Sequence, residues 1–195
     1  MRRRRPTAAD DHRARRPPAA PALLLLPFLW LSFGSHGPED LPRVEAEVRE
    51  RFPEVRQLGA AELERMLAAP EPHAVPLLLD VREPREYAVS HLPGAMRAAT
   101  VEEALAVLEE ADPRRPVVVY CSVGYRSSRL ARALAEAGRP GAANLEGSIF
   151  AWANSGRPVV RGGREVREVH PYDRKWGQLL RRELHATGSR VTEPR

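Results

Sequence analysis

A single cysteine lies where the chain could support nucleophilic chemistry. Cys121 follows an apolar, β-branched run, Val117–Tyr120, and precedes a segment rich in Ala, Leu and Arg. Such a run favours a buried strand, and ligands of open α/β sheets bind beyond the carboxyl ends of the strands. The loop that begins there reads Cys121-Ser122-Val123-Gly124-Tyr125-Arg126. Cys121 is therefore the candidate catalytic residue.

The composition of this loop favours a thiolate at Cys121. Backbone N–H groups and the positive end of the following helix would face the sulfur and stabilise negative charge on it. Gly124 can adopt a positive φ, which lets the N–H groups point inward, and Arg126 adds a positive charge. An inert buried cysteine, the alternative, needs neither residue at these offsets. The candidate substrate-binding residues are Ser122, Val123, Gly124, Tyr125 and Arg126.

Apolar runs alternate with amphipathic segments on both sides of this loop. The alternation predicts an α/β fold, a small parallel sheet flanked by helices on both faces. Strands are predicted at 75–80, 95–98, 117–120 and 142–145. Helices are predicted at 44–52, 60–69, 83–87, 101–108, 126–137 and after Gly147 through Trp152.

One domain over residues 41–160 accounts for these elements. Residues 161–195 are predicted to be an extension that packs one helical turn on the domain through Tyr172, Trp176, Leu179 and Leu180. Residues 1–40 are predicted to be a disordered basic leader that contains an uncharged apolar stretch at 22–33. That stretch could be a signal peptide, a membrane anchor or the product of a start codon placed too early. The protein is accordingly cytoplasmic, or exported or membrane-tethered if the stretch acts as a signal or anchor.

Charge and cysteine content exclude several classes of function. The net charge is +5, but the first 16 residues hold seven Arg against two Asp, and residues 157–195 hold ten Lys or Arg against five acids. The middle is mildly acidic and lacks the basic, aromatic-interleaved stripe of a nucleic-acid site, so no such partner is expected. One cysteine permits neither an internal disulfide nor a multi-cysteine zinc site. No metal or other cofactor is expected.

Three segments together resemble the rhodanese-like sulfurtransferase family. The first is the Cys-x-x-Gly-x-Arg loop at 121–126 between a strand and a helix. The second runs from Asp80-Val81-Arg82 through Glu86-Tyr87 to His91-Leu92-Pro93-Gly94-Ala95. The third is Leu145-Glu146-Gly147, with Trp152 after it. Their order and spacing agree with the family over about residues 55–160, so the resemblance implies a rhodanese-like fold.

The resemblance also implies a reaction. Cys121 would attack the outer sulfur of a donor such as thiosulfate or a persulfide, and a thiol or cyanide acceptor would then remove that sulfur from the Cys121 persulfide. The backbone amides of 122–126 would bind the transferred sulfur, and Arg126 would help to hold the anionic donor. The partners implied are a small-molecule donor, a thiol acceptor and, as an alternative, a protein that accepts the sulfur.

Other residues of the resemblance are less specific. Asp80, Arg82 and Glu86 are candidate pocket-wall residues, but an ordinary salt bridge in the loop explains them as well. His91 is expected to be a hydrogen-bonded structural histidine, because a preformed thiolate needs no base. Trp152 is expected in the core or in a lid.

Three positions depart from the family pattern. Ser122 stands where thiosulfate-using members often carry a basic residue, which argues against efficient use of thiosulfate. Ser90 and Ser148 stand where glycine is common, and neither is expected to carry chemistry.

Two other functions compete with sulfur transfer by an enzyme. Related folds support phosphatases and arsenate reductases, but these place Arg six residues after the cysteine, whereas Arg126 comes five after Cys121. The shorter loop favours a sulfur atom over a larger oxyanion. The second competitor is a persulfide carrier or docking module that hands sulfur to a partner protein.

Overall fold

The computed structural model describes residues 37–187. Five parallel strands form one sheet in the order β1-β5-β4-β2-β3. The strands are β1 Gln57–Leu58, β2 Leu77–Asp80, β3 Met96–Arg97, β4 Val117–Tyr120 and β5 Ala143–Leu145. The helices are α1 Leu41–Arg51, α2 Ala60–Leu67, α3 Pro84–Val89, α4 Val101–Glu110, α5 Tyr125–Glu136 and α6 Ser148–Asn154. The predicted α/β fold with a small parallel sheet is confirmed.

Alternating side chains of the strands feed two apolar clusters, one on each face of the sheet. Leu78 and Val118 belong to the cluster beneath α2 and α6, whereas Leu79 and Val119 belong to the cluster beneath α4 and α5. Successive residues of a strand point to opposite faces, so a strand buried on both faces must be apolar throughout. This requirement explains the apolar residues at 77–79 of β2 and at 117–120 of β4.

The strand order also locates the place where a ligand can bind. Strands β2 and β4 are neighbours, but the chain leaves β2 toward β3 on one side and leaves β4 toward β5 on the other. Connections that diverge from adjacent strands leave a crevice at the carboxyl ends of those strands. Cys121, which follows β4, and Val81, which follows β2, begin the two loops at that crevice.

Several elements differ from the sequence prediction. The structure adds strand β1 and an antiparallel hairpin formed by β6 Val159–Arg161 and β7 Arg164–Val166. The strands β1, β6 and β7 are too short to show the two-residue alternation of a β-strand, so no sequence pattern predicts them. A 3₁₀ helix at Pro38–Asp40 leads directly into α1, so helical structure begins inside the predicted leader.

The C-terminal extension is part of the core on the α6 face. Its buried apolar side chains join the cluster that contains Phe150 and Ile149; they are Val169, Leu179, Leu180 and Leu184. Within the extension, 3₁₀ helices form at Trp176–Leu179 and Arg182–Leu184.

The predictions for the N-terminal stretch at 22–33 lie outside the described residues. Within residues 37–187, no helix combines the length and the apolar character needed to cross a membrane.

One ion pair is completely buried beneath the crevice. Both Asp80 and Arg82 have 0 % exposed side chains, and Arg82 Nη2 donates to Asp80 Oδ2 at 2.7 Å. The same nitrogen donates to the backbone oxygen of Ser90 at 2.6 Å. The pair therefore ties the end of β2 to the residue that ends α3.

Replacing Asp80 by Asn should destabilise the fold strongly. The substitution leaves the Arg82 charge buried without its counterion, which costs about 3–5 kcal/mol in comparable pairs. Urea denaturation would measure the change in the free energy of unfolding. Asp112→Asn is the matched control, because Asp112 and Arg114 form the same two-residue pair at 2.7 Å on the surface. A loss no larger in Asp80→Asn than in the control would contradict this expectation.

Candidate active site

Cys121 lies at the carboxyl end of the central strand, and its side chain is 1 % exposed. The two N–H groups at the start of α6 bind the first carbonyls of the loop. Ile149 N–H donates to the Cys121 oxygen and Phe150 N–H donates to the Ser122 oxygen, each at 3.2 Å. Because these carbonyls are turned toward α6, the loop's own N–H groups are free to face the sulfur.

Gly124 supplies one such N–H group directly. Its N–H donates to Cys121 Sγ at 3.1 Å, and its φ of 116° is a conformation that L side chains rarely adopt. A Cβ at this position would also lie 3.2 Å from Asn144 Nδ2. The position therefore requires glycine for two independent reasons.

The surroundings of the thiol favour its ionised form. Burial raises the pKa of Cys121, but the positive charge of Arg126 and hydrogen bonds from Ser127 and Gly124 lower it by more. The pKa of Cys121 thus lies below the ordinary value of a cysteine. A thiolate in an electropositive setting is the reactive form of cysteine.

Arg126 is held in place by the buried carboxylate of Glu86. Its two terminal nitrogens donate to the two oxygens of Glu86 at 2.7 and 2.8 Å. Ser122 joins the pair, because its hydroxyl donates to Glu86 at 3.1 Å and accepts from Arg126 at 3.0 Å. Burial raises the pKa of Glu86, but the hydrogen bonds and charge of Arg126 outweigh it, so the pKa is lowered and the carboxylate stays ionised.

A cavity of about 420 Å³ opens above the sulfur. Its walls come from the loop, from α1 and α5, and from the C-terminal extension. The lining residues are Glu47, Cys121, Ser122, Val123, Tyr125, Arg126, Arg129, Tyr172, Lys175 and Trp176. The Tyr172 ring lies over the Arg126 guanidinium, with 4.6 Å between the ring centroid and Cζ.

Comparison with known proteins identifies this arrangement. The protein-family model of the rhodanese-like domain matches residues 59–155 of this chain. A sulfurtransferase of Allochromatium vinosum is 36 % identical over 84 residues, which are 43 % of this chain and 78 % of that protein. The chain belongs to the rhodanese-like domain family.

Two further relatives of the rhodanese-like domain agree with this assignment. A thiosulfate sulfurtransferase of Actinobacillus pleuropneumoniae is 35 % identical over 82 residues, covering 42 % of this chain and 75 % of that protein. The crystal structure of a thiosulfate sulfurtransferase from Pseudomonas aeruginosa superposes with a TM-score of 0.52 at 27 % identity. That superposition covers 73 % of this chain and 26 % of the other.

The predicted residues of the rhodanese-like loop meet at the cavity. Ser122, Val123, Tyr125 and Arg126 line it, and Gly124 reaches the sulfur through its N–H. Both terminal nitrogens of Arg126 donate to Glu86, so this ion pair sets the orientation in which Arg126 meets the cavity.

The three candidate pocket-wall residues have different positions. Glu86 lies behind Arg126 and orients it, without lining the cavity itself. Asp80 and Arg82 form the buried ion pair beneath the crevice and do not line the cavity. They form a salt bridge, which was the alternative to a role in the pocket wall.

His91 and Trp152 have structural contacts. The His91 ring stacks on Tyr87 with 3.8 Å between centroids, and its Nδ1 lies 3.1 Å from the Tyr87 oxygen. Trp152 is buried and donates through Nε1 to the Pro158 oxygen at 2.8 Å. Neither side chain lines the cavity at Cys121.

Two features of the site were not predicted. The Ser148 hydroxyl accepts the Cys121 N–H at 3.1 Å and lies 4.0 Å from its sulfur. The wall formed by Tyr172, Lys175 and Trp176 is the other. Nothing local in the sequence of the extension indicates that it returns to Cys121.

The reactivity of Cys121 should persist at a pH where an ordinary thiol is protonated. The rate of alkylation by iodoacetamide, measured against pH, should have a midpoint below that of a free cysteine. Arg126→Gln should move this midpoint upward, because the charge that lowers the pKa of Cys121 is removed. Arg132→Gln on the same helix is the control and should leave it unchanged. Equal midpoints in all three proteins would show that Arg126 does not stabilise the thiolate.

Removal of the Ser148 hydroxyl should destabilise the fold in a way that depends on the replacement. Ser148→Ala leaves the buried Cys121 N–H without an acceptor, at a cost of about 1–3 kcal/mol. Ser148→Gly loses the same bond but relieves the backbone, which has a φ of 52°, so its loss should be smaller.

Urea denaturation distinguishes these cases. Ser90→Ala is the control, because the buried Ser90 hydroxyl has no hydrogen-bond partner among the described residues. If Ser148→Ala lowered the free energy of unfolding no more than Ser90→Ala does, the hydrogen bond from the Cys121 N–H would not stabilise the fold.

Proposed function

We propose that this protein transfers a sulfane sulfur atom through a persulfide on Cys121. The observation that carries the proposal is the setting of the thiol, which lies on the floor of an open cavity with the Gly124 N–H at 3.1 Å from its sulfur. The low pKa of Cys121 supplies the nucleophile without a separate base. This agrees with the cavity lining, which among residues 37–187 includes no histidine.

In the first half-reaction the Cys121 thiolate attacks the outer sulfur of the donor. With thiosulfate, a bond forms between Sγ and that sulfur, the sulfur–sulfur bond of thiosulfate breaks, and sulfite leaves with the electron pair. A persulfide donor reacts in the same way and releases a thiolate. In both cases the enzyme retains one negative sulfur and no external oxidant or reductant is needed.

The loop amides stabilise this negative sulfur. The N–H groups of the loop and the N-terminus of α5 provide the partial positive charge that a persulfide anion requires. Arg126 adds a full charge, and Glu86 keeps its guanidinium in one orientation. The loop thus supports the thiolate before the transfer and the persulfide after it with the same groups.

In the second half-reaction an acceptor removes the outer sulfur. A thiolate or cyanide attacks it, the bond to Sγ breaks, and Cys121 leaves as a thiolate. The acceptor is a small thiol, cyanide or a cysteine of a partner protein, and the cycle is of the ping-pong type.

Arg126 argues against the oxyanion chemistry of a phosphatase or arsenate reductase. In such an enzyme the arginine after the cysteine must offer its nitrogens to the oxygens of the substrate. Here both terminal nitrogens donate to Glu86 at 2.7 and 2.8 Å. Sulfur transfer needs only positive charge near Sγ, and the charge of Arg126 lowers the pKa of Cys121 even though Arg126 is paired with Glu86.

Incubation with thiosulfate or polysulfide should add one sulfur atom to the intact mass of the protein. Because Cys121 is the only cysteine of the chain, Cys121→Ser should show no addition. Treatment with cyanide should restore the original mass and release thiocyanate. An unchanged mass with both donors, or the same addition in Cys121→Ser, would refute the proposal.

A further inference from the structure

The wall of the active-site cavity opposite the sulfur loop is built by a segment outside the rhodanese-like match. The match ends at residue 155, whereas Tyr172, Lys175 and Trp176 line the cavity that contains Cys121. These residues therefore form a wall of the site that lies outside the matched rhodanese-like domain.

The extension is anchored, so this wall is a fixed surface. Asn154, at the end of α6, binds the extension twice: its side chain donates to the Leu179 oxygen at 2.8 Å and accepts from the Arg181 N–H at 2.9 Å. Within the extension, Val169 N–H donates to the Leu184 oxygen at 2.7 Å, which joins the segments before and after the wall. With four buried apolar side chains in the core, the segment before and after the wall cannot move independently of the domain.

Tyr172 is held in an unusual backbone conformation at this wall. Its φ is 67°, a value that non-glycine residues rarely adopt, and its N–H donates to His170 Nδ1 at 2.9 Å. The conformation brings its ring over Arg126. Strained residues that persist in a folded protein concentrate at functional sites.

The aromatic side chains form a continuous surface with the loop. The Trp176 ring packs edge-on against Tyr125, with 5.8 Å between the centroids and 61° between the planes. Tyr172 and Trp176 are each partly exposed, so part of each ring remains available to a ligand. An aromatic surface of this kind binds the organic part of a ligand, which a compact inorganic anion lacks.

Two exposed cations lie beside these rings. Arg129 and Lys175 line the cavity, and within residues 37–187 neither forms an ion pair. Lys175 Nζ lies 5.3 Å from the Trp176 ring centroid. Glu47, the acidic residue in the lining, accepts a hydrogen bond from the Tyr125 hydroxyl at 3.0 Å. The mouth of the cavity therefore offers positive charge and aromatic surface together.

We propose that Tyr172, Lys175 and Trp176 make the site selective for an organic sulfur donor that carries a negative charge. The organic group contacts the two rings, and the anionic group faces Lys175 and Arg129. The volume of about 420 Å³ lies in the range of pockets that enclose organic ligands. The inference rests on the proposed sulfur transfer and deepens it by naming the donor class.

Organic thiosulfonate anions, R–SO₂–S⁻, are suitable probes of this selectivity. The Cys121 thiolate attacks the outer sulfur, the bond to Sγ forms, the sulfur–sulfur bond breaks, and the sulfinate R–SO₂⁻ leaves with the electron pair. Benzenethiosulfonate and methanethiosulfonate share this chemistry and charge. They differ in the ring that Tyr172 and Trp176 would contact.

The experiment compares kcat/KM for these two donors and for thiosulfate in the full chain, with cyanide as the acceptor. The ratio of kcat/KM for benzenethiosulfonate to kcat/KM for methanethiosulfonate is measured in the wild type and in Trp176→Leu. Comparing the two proteins cancels the different reactivities of the donors. Because Trp176→Leu loses one aromatic contact, its ratio should be about three- to tenfold lower than that of the wild type. Leu keeps an apolar side chain against Tyr125.

Lys175→Ala provides a second and independent variant on an exposed side chain. It should raise KM for the thiosulfonates by about two- to fivefold, the effect of one solvent-exposed charge pair, with kcat unchanged. Arg174→Ala is the matched control, because it removes the same charge one residue away and Arg174 does not line this cavity. It should leave KM unchanged.

The outcomes separate this inference from the proposed function. If no donor forms a persulfide on Cys121, sulfur transfer itself fails. If persulfides form, but the donor ratio in Trp176→Leu equals that of the wild type, the wall does not select the donor. Equal effects of Lys175→Ala and Arg174→Ala would likewise overturn the role of Lys175. If Trp176→Leu does not fold, the comparison of Lys175→Ala with Arg174→Ala tests the inference by itself.

Discussion

The ion pair between Glu86 and Arg126 is the interaction on which the site depends. It joins α3 to α5, so it links the two loops that diverge from the neighbouring strands β2 and β4. Because the Glu86 side chain is completely buried, its charge depends on the groups that contact it, which are the Arg126 guanidinium, the Ser122 hydroxyl and the Glu83 N–H. The pair fixes where the positive charge near Cys121 lies, and it provides the flat surface over which the Tyr172 ring lies.

Ser122 and the exposed cations of the cavity have different places in this arrangement. Ser122 provides a hydroxyl that completes the Glu86–Arg126 contact. The exposed positive charge at the cavity comes from other elements, Arg129 on α5 and Lys175 in the extension. The loop surrounds Cys121 Sγ, while the exposed positive charges of the cavity lie on other elements.

The sequence predicted those parts of the molecule that obey a local rule. β4 is an unbroken β-branched run that ends at Cys121, and Gly124 occupies a position that only glycine fits, so both could be identified without coordinates. β1 has two residues and cannot show a period. The contact of Ser148 with the Cys121 N–H could not be predicted, because it depends on how α6 packs against the loop. Tyr172 and Trp176 reach the cavity only through tertiary packing of the extension, which no local pattern encodes.

The separation of the sulfur loop from the extension has an evolutionary consequence. The groups that lower the pKa of Cys121 belong to Gly124, Arg126 and Ser127, whereas the opposite wall lies about fifty residues later in the chain and meets the loop through ring contacts. Mutations in the wall can accumulate without altering the backbone that holds Cys121. Under the proposal that this wall selects the donor, substitutions in it would change which donor binds while the loop around Cys121 keeps its geometry.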